Sequence, residues 1–213
     1  MIIDLNKENV WITSDTHYGH KNICRGVTDW RDEKGNIPID RTRDFPTLEK
    51  MNDTIVQNIN AVVGQSDTLI HLGDWSFGGF ENIQKFWDRL VCKNIRLVLG
   101  NHDHHILKDK EGVRDLFYSV NHYEVLPISK GCSLILFHYP ILSWDGLGRG
   151  YIHLHGHAHL SETKKFGLGK RMDIGIDGHP EFRPYHLMTE VVPMMRKREI
   201  KSDLAHDHHM DGM

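Results

Sequence analysis

The sequence has few cysteines, no long hydrophobic run and no excess of one charge. Its three cysteines, Cys24, Cys92 and Cys132, are far apart and include no Cys-x-x-Cys pair. This spacing argues against a disulfide framework or a thiolate zinc site, and it favours three buried thiols in a reducing compartment. No apolar run approaches the roughly 18 residues of a membrane helix, and the first residues lack the basic and apolar regions of a signal peptide. We therefore expect a cytoplasmic protein that does not associate with membranes.

The charge balance disfavours a protein that binds long nucleic acids. The chain has 26 basic and 29 acidic side chains, a net charge of −3 with histidine neutral, so no extended phosphate-binding footprint is expected. With 39% hydrophobic and 26% charged residues, the 213-residue chain is too apolar to be disordered and suits one domain with a full core. We predict a single domain over residues 1–200 and a disordered tail, rich in histidine and aspartate, over residues 201–213.

The residue present in excess is histidine, with 17 copies against 19 glycines. Short apolar segments alternate with amphipathic ones along the chain, and this pattern predicts an α/β domain. Apolar residues at three- and four-residue steps predict one helix from about Thr47 to Val62 and a second through residues 83–90. Apolar runs predict five buried strands, at residues 10–14, 67–72, 95–99, 133–137 and 151–154.

Each predicted strand runs directly into carboxylate, amide or imidazole side chains. The carboxyl ends of strands line the ligand crevice of α/β sheets, so these side chains would converge if the strands are neighbours. Nitrogen and oxygen donors without thiolate suit Mn, Fe, Co, Ni or Zn. A lone histidine after a strand is more often structural, and the metal interpretation rests on all five motifs together. Seven donors exceed one tetrahedral zinc and fit two ions that share a carboxylate. The candidate ligands are Asp15, His17, Asp74, Asn101, His138, His157 and His159.

These motifs resemble, in order, the signature of the calcineurin-like metallophosphoesterases. The residues that carry the resemblance are Asp15-x-His17, Gly73-Asp74, Gly100-Asn101-His102-Asp103, His138 and Gly156-His157-x-His159. Residues 14–20, 138–140 and 153–159 look like a small single-domain branch found in bacteria and phages. The resemblance implies a four-layer αββα sandwich, in which two mixed β-sheets are flanked by helices and a dinuclear metal site lies at the carboxyl ends of the strands.

The resemblance also implies a role for each motif. The ligands would form two sets around a bridging Asp74, namely Asp15, His17 and His159, and Asn101, His138 and His157. Two divalent ions, first of all Mn with Fe, Ni, Co or Zn as alternatives, would hold a bridging water or hydroxide as nucleophile. His102 would protonate the leaving alkoxide, because the pKa of imidazole lies near the working pH. Asp103 would not bind a metal ion itself but would orient the residues that do.

Residues beside the motifs disfavour several branches of this family. Trp75 follows Gly73-Asp74, whereas Ser/Thr protein phosphatases have an Asp-Arg-Gly motif after Gly-Asp, and its arginine binds phosphate. Phe77 replaces the metal-binding tyrosine of purple acid phosphatases, and His102 is retained where lipid A precursor hydrolases have arginine. Double-strand-break repair nucleases carry DNA-capping domains for which this chain has no room.

Two further residues are candidate phosphate contacts, although simpler explanations exist for both. His20 follows His17 closely but is equally well explained as a structural histidine, and a surface salt bridge explains Arg171 at least as well. Asp173 and Asp177 lie on a predicted late strand and resemble ligands, but the seven positions are already filled.

We predict a divalent-metal-dependent hydrolase that acts on small phosphoesters, with nucleotide-like esters among the candidates. Phosphodiesters are favoured over monoesters because His102 supplies the acid that a poor alkoxide leaving group needs. Three alternatives stay open: a non-catalytic metal-binding scaffold of the same fold, a small nuclease acting on short nucleic acid, and a zinc amidohydrolase built on His155-x-His157. The oligomeric state is left open.

Overall fold

Two mixed β-sheets form the centre of the molecule. The computed structural model describes residue 5 and residues 8–202, so residues 203–213 of the predicted tail lie outside the described residues. The strands are Val10–Thr13 (β1), Thr68–His71 (β2), Asn94–Val98 (β3), Ser119–Asn121 (β4), Tyr123–Ser129 (β5), Cys132–Phe137 (β6), Ile152–His155 (β7), Arg171–Asp173 (β8) and Tyr185–His186 (β9). The first sheet has the order β4-β3-β2-β1-β9 and the second β5-β6-β7-β8. Only β9 and β5, at one edge of each sheet, run antiparallel to their neighbours.

The helices form where periodicity and capping agree. They are Leu48–Val62 (α1), Phe80–Arg89 (α2), His104–Leu107 (α3) and Val192–Arg196 (α4). The predicted start of α1 is confirmed, because the Thr47 hydroxyl accepts the Lys50 N–H at 3.1 Å as an N-cap. Met51 and Ile55 are fully buried on its apolar face. The predicted helix through residue 83 is also confirmed as α2, in which Ile83 and Phe86 are buried.

The predicted sandwich of two mixed sheets is confirmed, and its apolar layers lie where the fold requires them. Alternate residues of the first sheet, such as Leu69 and Ile70, face the helices on one side and the second sheet on the other. The outer face of the second sheet is covered by Trp144 and Leu147, in a segment that contains a short 3-10 turn. None of the described helices combines the length and the apolar composition that crossing a membrane requires.

Two local predictions are wrong. Cys24 and Cys92 are buried as expected, but Cys132 is partly exposed because it begins β6 beside a turn. Asp177 was expected on a strand with Asp173. Strand β8 ends at Asp173, and Asp177 lies in a 3-10 turn, Ile176–Gly178, that carries the chain back toward β1.

This topology brings five strand ends together. β1, β2 and β3 are parallel neighbours in one sheet, and β6 and β7 are parallel neighbours in the other. Just past the end of β1, Ser14 forms an isolated bridge with Gly175, and its carbonyl accepts the Ile176 N–H at 3.1 Å. The two sheets are therefore tied to each other at the edge where the candidate ligands lie.

Candidate metal centre

The candidate ligands lie on turns whose backbone conformation is unusual. A positive φ in a residue other than glycine costs about 1–3 kcal/mol and is concentrated at functional sites. Five of the seven candidates have one, between 48° and 69°. They are Asp15, His17, Asp74, His157 and His159. The chain therefore leaves strands β1, β2 and β7 in tight turns that carry candidate ligands.

One group of candidate ligands joins the ends of β1 and β7. The Nε2 atoms of His17 and His159 are 3.0 Å apart. Asp15 Oδ1 lies 3.9 Å from His17 Nε2 and 3.7 Å from His159 Nε2. The ligand atoms of these three residues all lie within 4.8 Å of one another. This is the first of the two sets that the motifs predict.

The second group lies on the neighbouring strand ends. Asn101 Oδ1 is 3.0 Å from His138 Nε2 and 2.9 Å from His157 Nδ1. His138 is fully buried after β6, whereas His157 is exposed on the loop after β7. The structure therefore also brings the predicted second set together.

Asp74 lies between the two groups. Its Oδ2 atom is 3.4 Å from His17 Nε2 and 3.6 Å from His138 Nε2, while its Oδ1 atom accepts the His102 N–H at 2.9 Å. One carboxylate oxygen is thus held by the backbone and the other faces both groups, as a bridging ligand requires. Asp15 also approaches the second group, because its ligand atom lies within 4.8 Å of those of Asp74 and His138.

The hydrogen-bond pattern of these histidines fits cations. His138 Nδ1 donates to the Leu72 carbonyl at 2.7 Å, which leaves the Nε2 lone pair facing Asn101 Oδ1. His159 Nδ1 donates to Asp177 Oδ2 at 2.8 Å, and its Nε2 faces His17 Nε2. In the second group, the lone pairs of His138 Nε2 and Asn101 Oδ1 therefore point at each other. A divalent cation between them replaces this repulsion by coordination.

The electrostatics of the buried carboxylates point the same way. Burial raises the pKa of Asp15 to about 8; His159 opposes the rise, and the nearby carboxylates of Asp173 and Asp74 add to it. Burial also lowers the pKa of His17 well below its ordinary value. Without a cation, the site thus disfavours the charged forms of Asp15 and His17. A bound cation would keep Asp15 ionised and His17 neutral, which are the ligating forms of both side chains.

Asp177 and Arg43 support the first group from outside, and the motifs gave no sign of either role. The Arg43 guanidinium pairs with Asp177 through two hydrogen bonds, of 2.8 and 2.7 Å. Arg43 also donates to the carbonyls of Asp15 and Thr16, at 2.6 and 2.8 Å. Because Asp177 accepts the His159 Nδ1–H, the pair fixes both the orientation and the tautomer of a candidate ligand. A late Asp with a distant buried Arg has no local sequence signal.

Asp103 holds the turns that carry Asp74 and Asn101. Its carboxylate accepts the backbone N–H groups of Asp74, Trp75 and Gly100, at 2.8, 2.9 and 2.8 Å. Burial raises its pKa to about 7, and the Asp74 charge adds to this rise. The contacts agree with the predicted supporting role behind the ligands.

His102 and His20 line the mouth of the site. The His102 ring is 5.3 Å from the His17 ring and 5.5 Å from the Phe77 ring, and it is partly exposed. His20 is buried against Phe77 at 4.2 Å, and its Nδ1 accepts the Ile23 N–H at 3.2 Å. Burial lowers the pKa of His20 to about 4, so the ring is neutral near pH 7. Contact of His20 with phosphate stays a prediction.

Arg171 and His155 have hydrogen-bond partners other than the candidate ligands. Arg171 starts β8, opposite His153, and donates to the Ile141 carbonyl at 3.0 Å. That contact gives it a structural partner, and its phosphate role also stays a prediction. His155 Nδ1 lies 2.9 Å from the carbonyl oxygen of Gly156, and the buried His155 ring lies 5.4 Å from that of His153. The arrangement gives no support to an amidohydrolase site built on His155.

The sandwich and its two groups of candidate ligands define a class of protein, the α/β proteins that gather potential metal ligands at the carboxyl ends of their strands. Within that class, a sequence model of the calcineurin-like phosphoesterases matches residues 8–209. The chain belongs to the calcineurin-like phosphoesterase family, as its motifs indicate.

Two proteins are similar to the chain in sequence, and one solved structure shares its fold. The chain is 27% identical over 164 residues to an uncharacterized protein of Methanocaldococcus jannaschii, a match that covers 76% of each chain. It is also 27% identical over 196 residues to the Gene 66 protein of Mycobacterium phage L5, covering 79% of this chain and 86% of that protein. A solved structure of a protein of unknown function from Aquifex aeolicus is similar with a TM-score of 0.60 and 22% identity, covering 88% of this chain and 100% of that one.

Proposed function

We propose that the protein hydrolyses small phosphoesters in a divalent-metal-dependent reaction and prefers phosphodiesters to phosphomonoesters. The observation that carries the proposal is the position of Asp74 Oδ2 between two groups of nitrogen and oxygen ligands, with the His102 ring at their edge. Manganese is our first candidate for the ion, with Fe, Ni, Co or Zn as alternatives, and nitrogen and oxygen ligands without thiolate are compatible with all five. Two divalent ions, when bound, lower the pKa of a water molecule and neutralise phosphoryl oxygens.

The residues of the chain then have separate tasks. Asp74 and Asp15 supply negative charge to both groups, and the backbone hydrogen bonds to their carboxylates keep them in place before any ligand arrives. His102 is anchored through its own N–H to Asp74, so its ring stands at a fixed distance from the ligands. From there it donates a proton to the oxygen that leaves phosphorus. An alkoxide leaving group needs that proton, so the acid suits unactivated alkyl phosphoesters, among which we favour diesters.

Turnover of two chromogenic esters tests the reaction class. With Mn²⁺, the protein is expected to hydrolyse bis-p-nitrophenyl phosphate with a higher kcat/KM than p-nitrophenyl phosphate. If the protein turns over neither ester and no member of a panel of nucleotides and short single-stranded DNA, the non-catalytic scaffold is favoured. Selective cleavage of the DNA would favour the nuclease.

The role of His102 is tested by two diesters that differ in their leaving group. We expect His102→Ala to slow hydrolysis of a cyclic nucleotide, which expels an alkoxide, by about 10²–10⁴-fold. Its effect on bis-p-nitrophenyl phosphate, which expels a stable phenolate, should be much smaller. Metal content measured by mass spectrometry should be unchanged. Equal losses on both diesters would show that His102 positions the site rather than supplying the proton.

A further inference from the structure

A cavity of about 390 Å³ opens directly beside the first ligand group. His159 and Asp177 belong both to this cavity and to the candidate metal centre. Its volume lies in the range of cavities that hold small molecules, about 300–1,000 Å³. A phosphoester whose phosphorus lies at the ligands can therefore extend one of its organic groups into this space.

The outer wall of the cavity is an aromatic ring held in place by its own segment. Trp30 lines the cavity and is 37% exposed. The backbone N–H of Trp30 donates to the Thr28 hydroxyl at 3.1 Å, and that hydroxyl donates to the Asn22 carbonyl at 2.7 Å. The Trp30 ring also lies 5.8 Å from the ring of buried His20. An exposed indole on a backbone held in this way offers a flat apolar surface for stacking.

The charges around the cavity leave no site for a second phosphate. Arg43 and Asp177 at its floor neutralise each other through their two hydrogen bonds. The exposed Asp40 and Arg41 at its rim have opposite signs. A polyanion would need a track of unpaired basic side chains. An uncharged planar group matches the walls better, with Ile23 contributing further apolar surface.

We propose that this cavity, the Trp30 pocket, binds the uncharged aromatic group of the phosphoester substrate, for which a nucleobase is the fitting chemistry. The pocket is defined by Ile23, Trp30, Arg43, His159 and Asp177. The inference rests on the function proposed above and adds to it the substrate class. Trp30 acts as the stacking surface that selects aromatic esters over aliphatic ones.

Calorimetric titration of the Mn²⁺-loaded protein tests the pocket through binding alone. Adenosine 5′-monophosphate and ribose 5-phosphate share the phosphate and the sugar and differ in the base. We expect the nucleotide to bind about tenfold more tightly, which is the scale of stacking one base on an aromatic side chain. Trp30→Ala should abolish this ratio and Trp30→Tyr should retain most of it. Phenyl phosphate compared with methyl phosphate shows whether any aryl group suffices or a nucleobase is required.

Two further variants keep the test decisive. Tyr118→Ala removes another exposed aromatic ring, 45% exposed and outside the pocket, and should leave the ratio unchanged. If Trp30→Ala fails to fold, Ser161→Trp places a large side chain at another lining position of the cavity and should lower the ratio by filling the space that the base needs. Equal affinities for the two phosphates in the unmodified protein, or an unchanged ratio in both Trp30→Ala and Ser161→Trp, would overturn the proposal. Preferential binding of the nucleotide without turnover of any ester would instead contradict the proposed function and leave the pocket standing.

Discussion

At the scale of single residues, the candidate metal centre depends on side chains outside the two groups of candidate ligands. Asp177 accepts hydrogen bonds from His159 and from Arg43, so it links a candidate ligand to a buried guanidinium. Burial alone would raise the pKa of Asp177, but Arg43 and His159 outweigh burial and hold this pKa well below its usual range. The carboxylate therefore stays charged and keeps the proton on His159 Nδ1.

Replacing Asp177 with asparagine should weaken one ion site and spare the other. An amide cannot fix the His159 tautomer with a full charge, and the loss of such outer contacts costs about 10–100-fold in metal affinity. Calorimetric titration with Mn²⁺ should show one weakened and one unaltered binding step. Asp53→Asn is the matched control, because Asp53 pairs with Arg89 at 2.6 Å on the surface. The Asp53→Asn protein should bind both ions with unchanged affinity. Unchanged Mn²⁺ affinity in Asp177→Asn would show that Asp177 does not support the ion site.

The residue scale also shows what motif spacing can and cannot predict. The seven ligand candidates follow from short motifs whose order is informative, and the structure brings them together. Asp177 looked like a ligand in the sequence but was set aside, and its partner Arg43 went unnoticed. Their contact joins residues 134 positions apart in the chain. Such a pair is created by the fold, so no local pattern announces it.

At the scale of elements, the turns after the strands position the ligands through close packing. Gly156 follows β7 at a point where a Cβ atom would overlap Ser14 Oγ and Asp15 Oδ2. Neither neighbour is free to move, because Ser14 Oγ donates to the Leu72 and Gly73 carbonyls and Asp15 accepts the His157 N–H. The absence of a side chain at residue 156 thus allows the two sheets to meet at the ligands.

Gly156→Ala should therefore disturb both stability and metal binding. Overpacking of this kind costs about 1–3 kcal/mol of unfolding free energy, and a displaced Asp15 should lower the affinity for Mn²⁺. Urea denaturation and calorimetry measure the two effects. Gly64→Ala is the control, because a Cβ there would lie at an ordinary 3.5 Å from Asp67 Oδ2. A Gly156→Ala protein that binds Mn²⁺ as tightly as the unmodified one would contradict this packing argument.

Elements with a clear period were predicted well, and edge elements were missed. Helix α1 has both an apolar face and an N-cap, which is why its start and end were predicted. Strand β5 was missed because it lies at a sheet edge, where of its seven residues only Leu126 is fully buried, and because it contains Pro127. The segment that carries Trp30 is built from turns and side-chain hydrogen bonds. It therefore has no hydrophobic periodicity from which its position could be predicted.

At the scale of the whole molecule, strand order lay beyond what periodicity could predict. Alternating strands and helices indicated α/β architecture, but the order β4-β3-β2-β1-β9 depends on long-range pairing. The family resemblance supplied the sandwich, and the two apolar layers explain it physically. One consequence of these layers is that His71 and His153 are completely buried within the sheets.

These buried histidines should make the fold sensitive to acid. Burial lowers the pKa of His71 and that of His153 to about 3, against about 6.5 in an unfolded chain. Between these values the unfolded chain binds a proton that the native protein does not, so stability is present above pH 6.5 and is lost as the pH falls. Each histidine contributes up to about 1.4 kcal/mol per pH unit.

Urea denaturation in EDTA between pH 7 and pH 4 measures this effect without interference from metal binding. His153→Gln should reduce the pH dependence of the unfolding free energy by the contribution of one histidine. His122→Gln is the control, because His122 is exposed, and its slope should match that of the unmodified protein. An unchanged slope in His153→Gln would contradict the argument from burial.

The central claim is that two cation sites joined by Asp74 act together on a phosphoester. Titration of the metal-free protein with Mn²⁺, while hydrolysis of bis-p-nitrophenyl phosphate is followed, tests it most directly. We predict little turnover with one ion per chain and a rate that saturates once two are bound. Full turnover with one ion or none, or no turnover with both sites filled, would contradict the account.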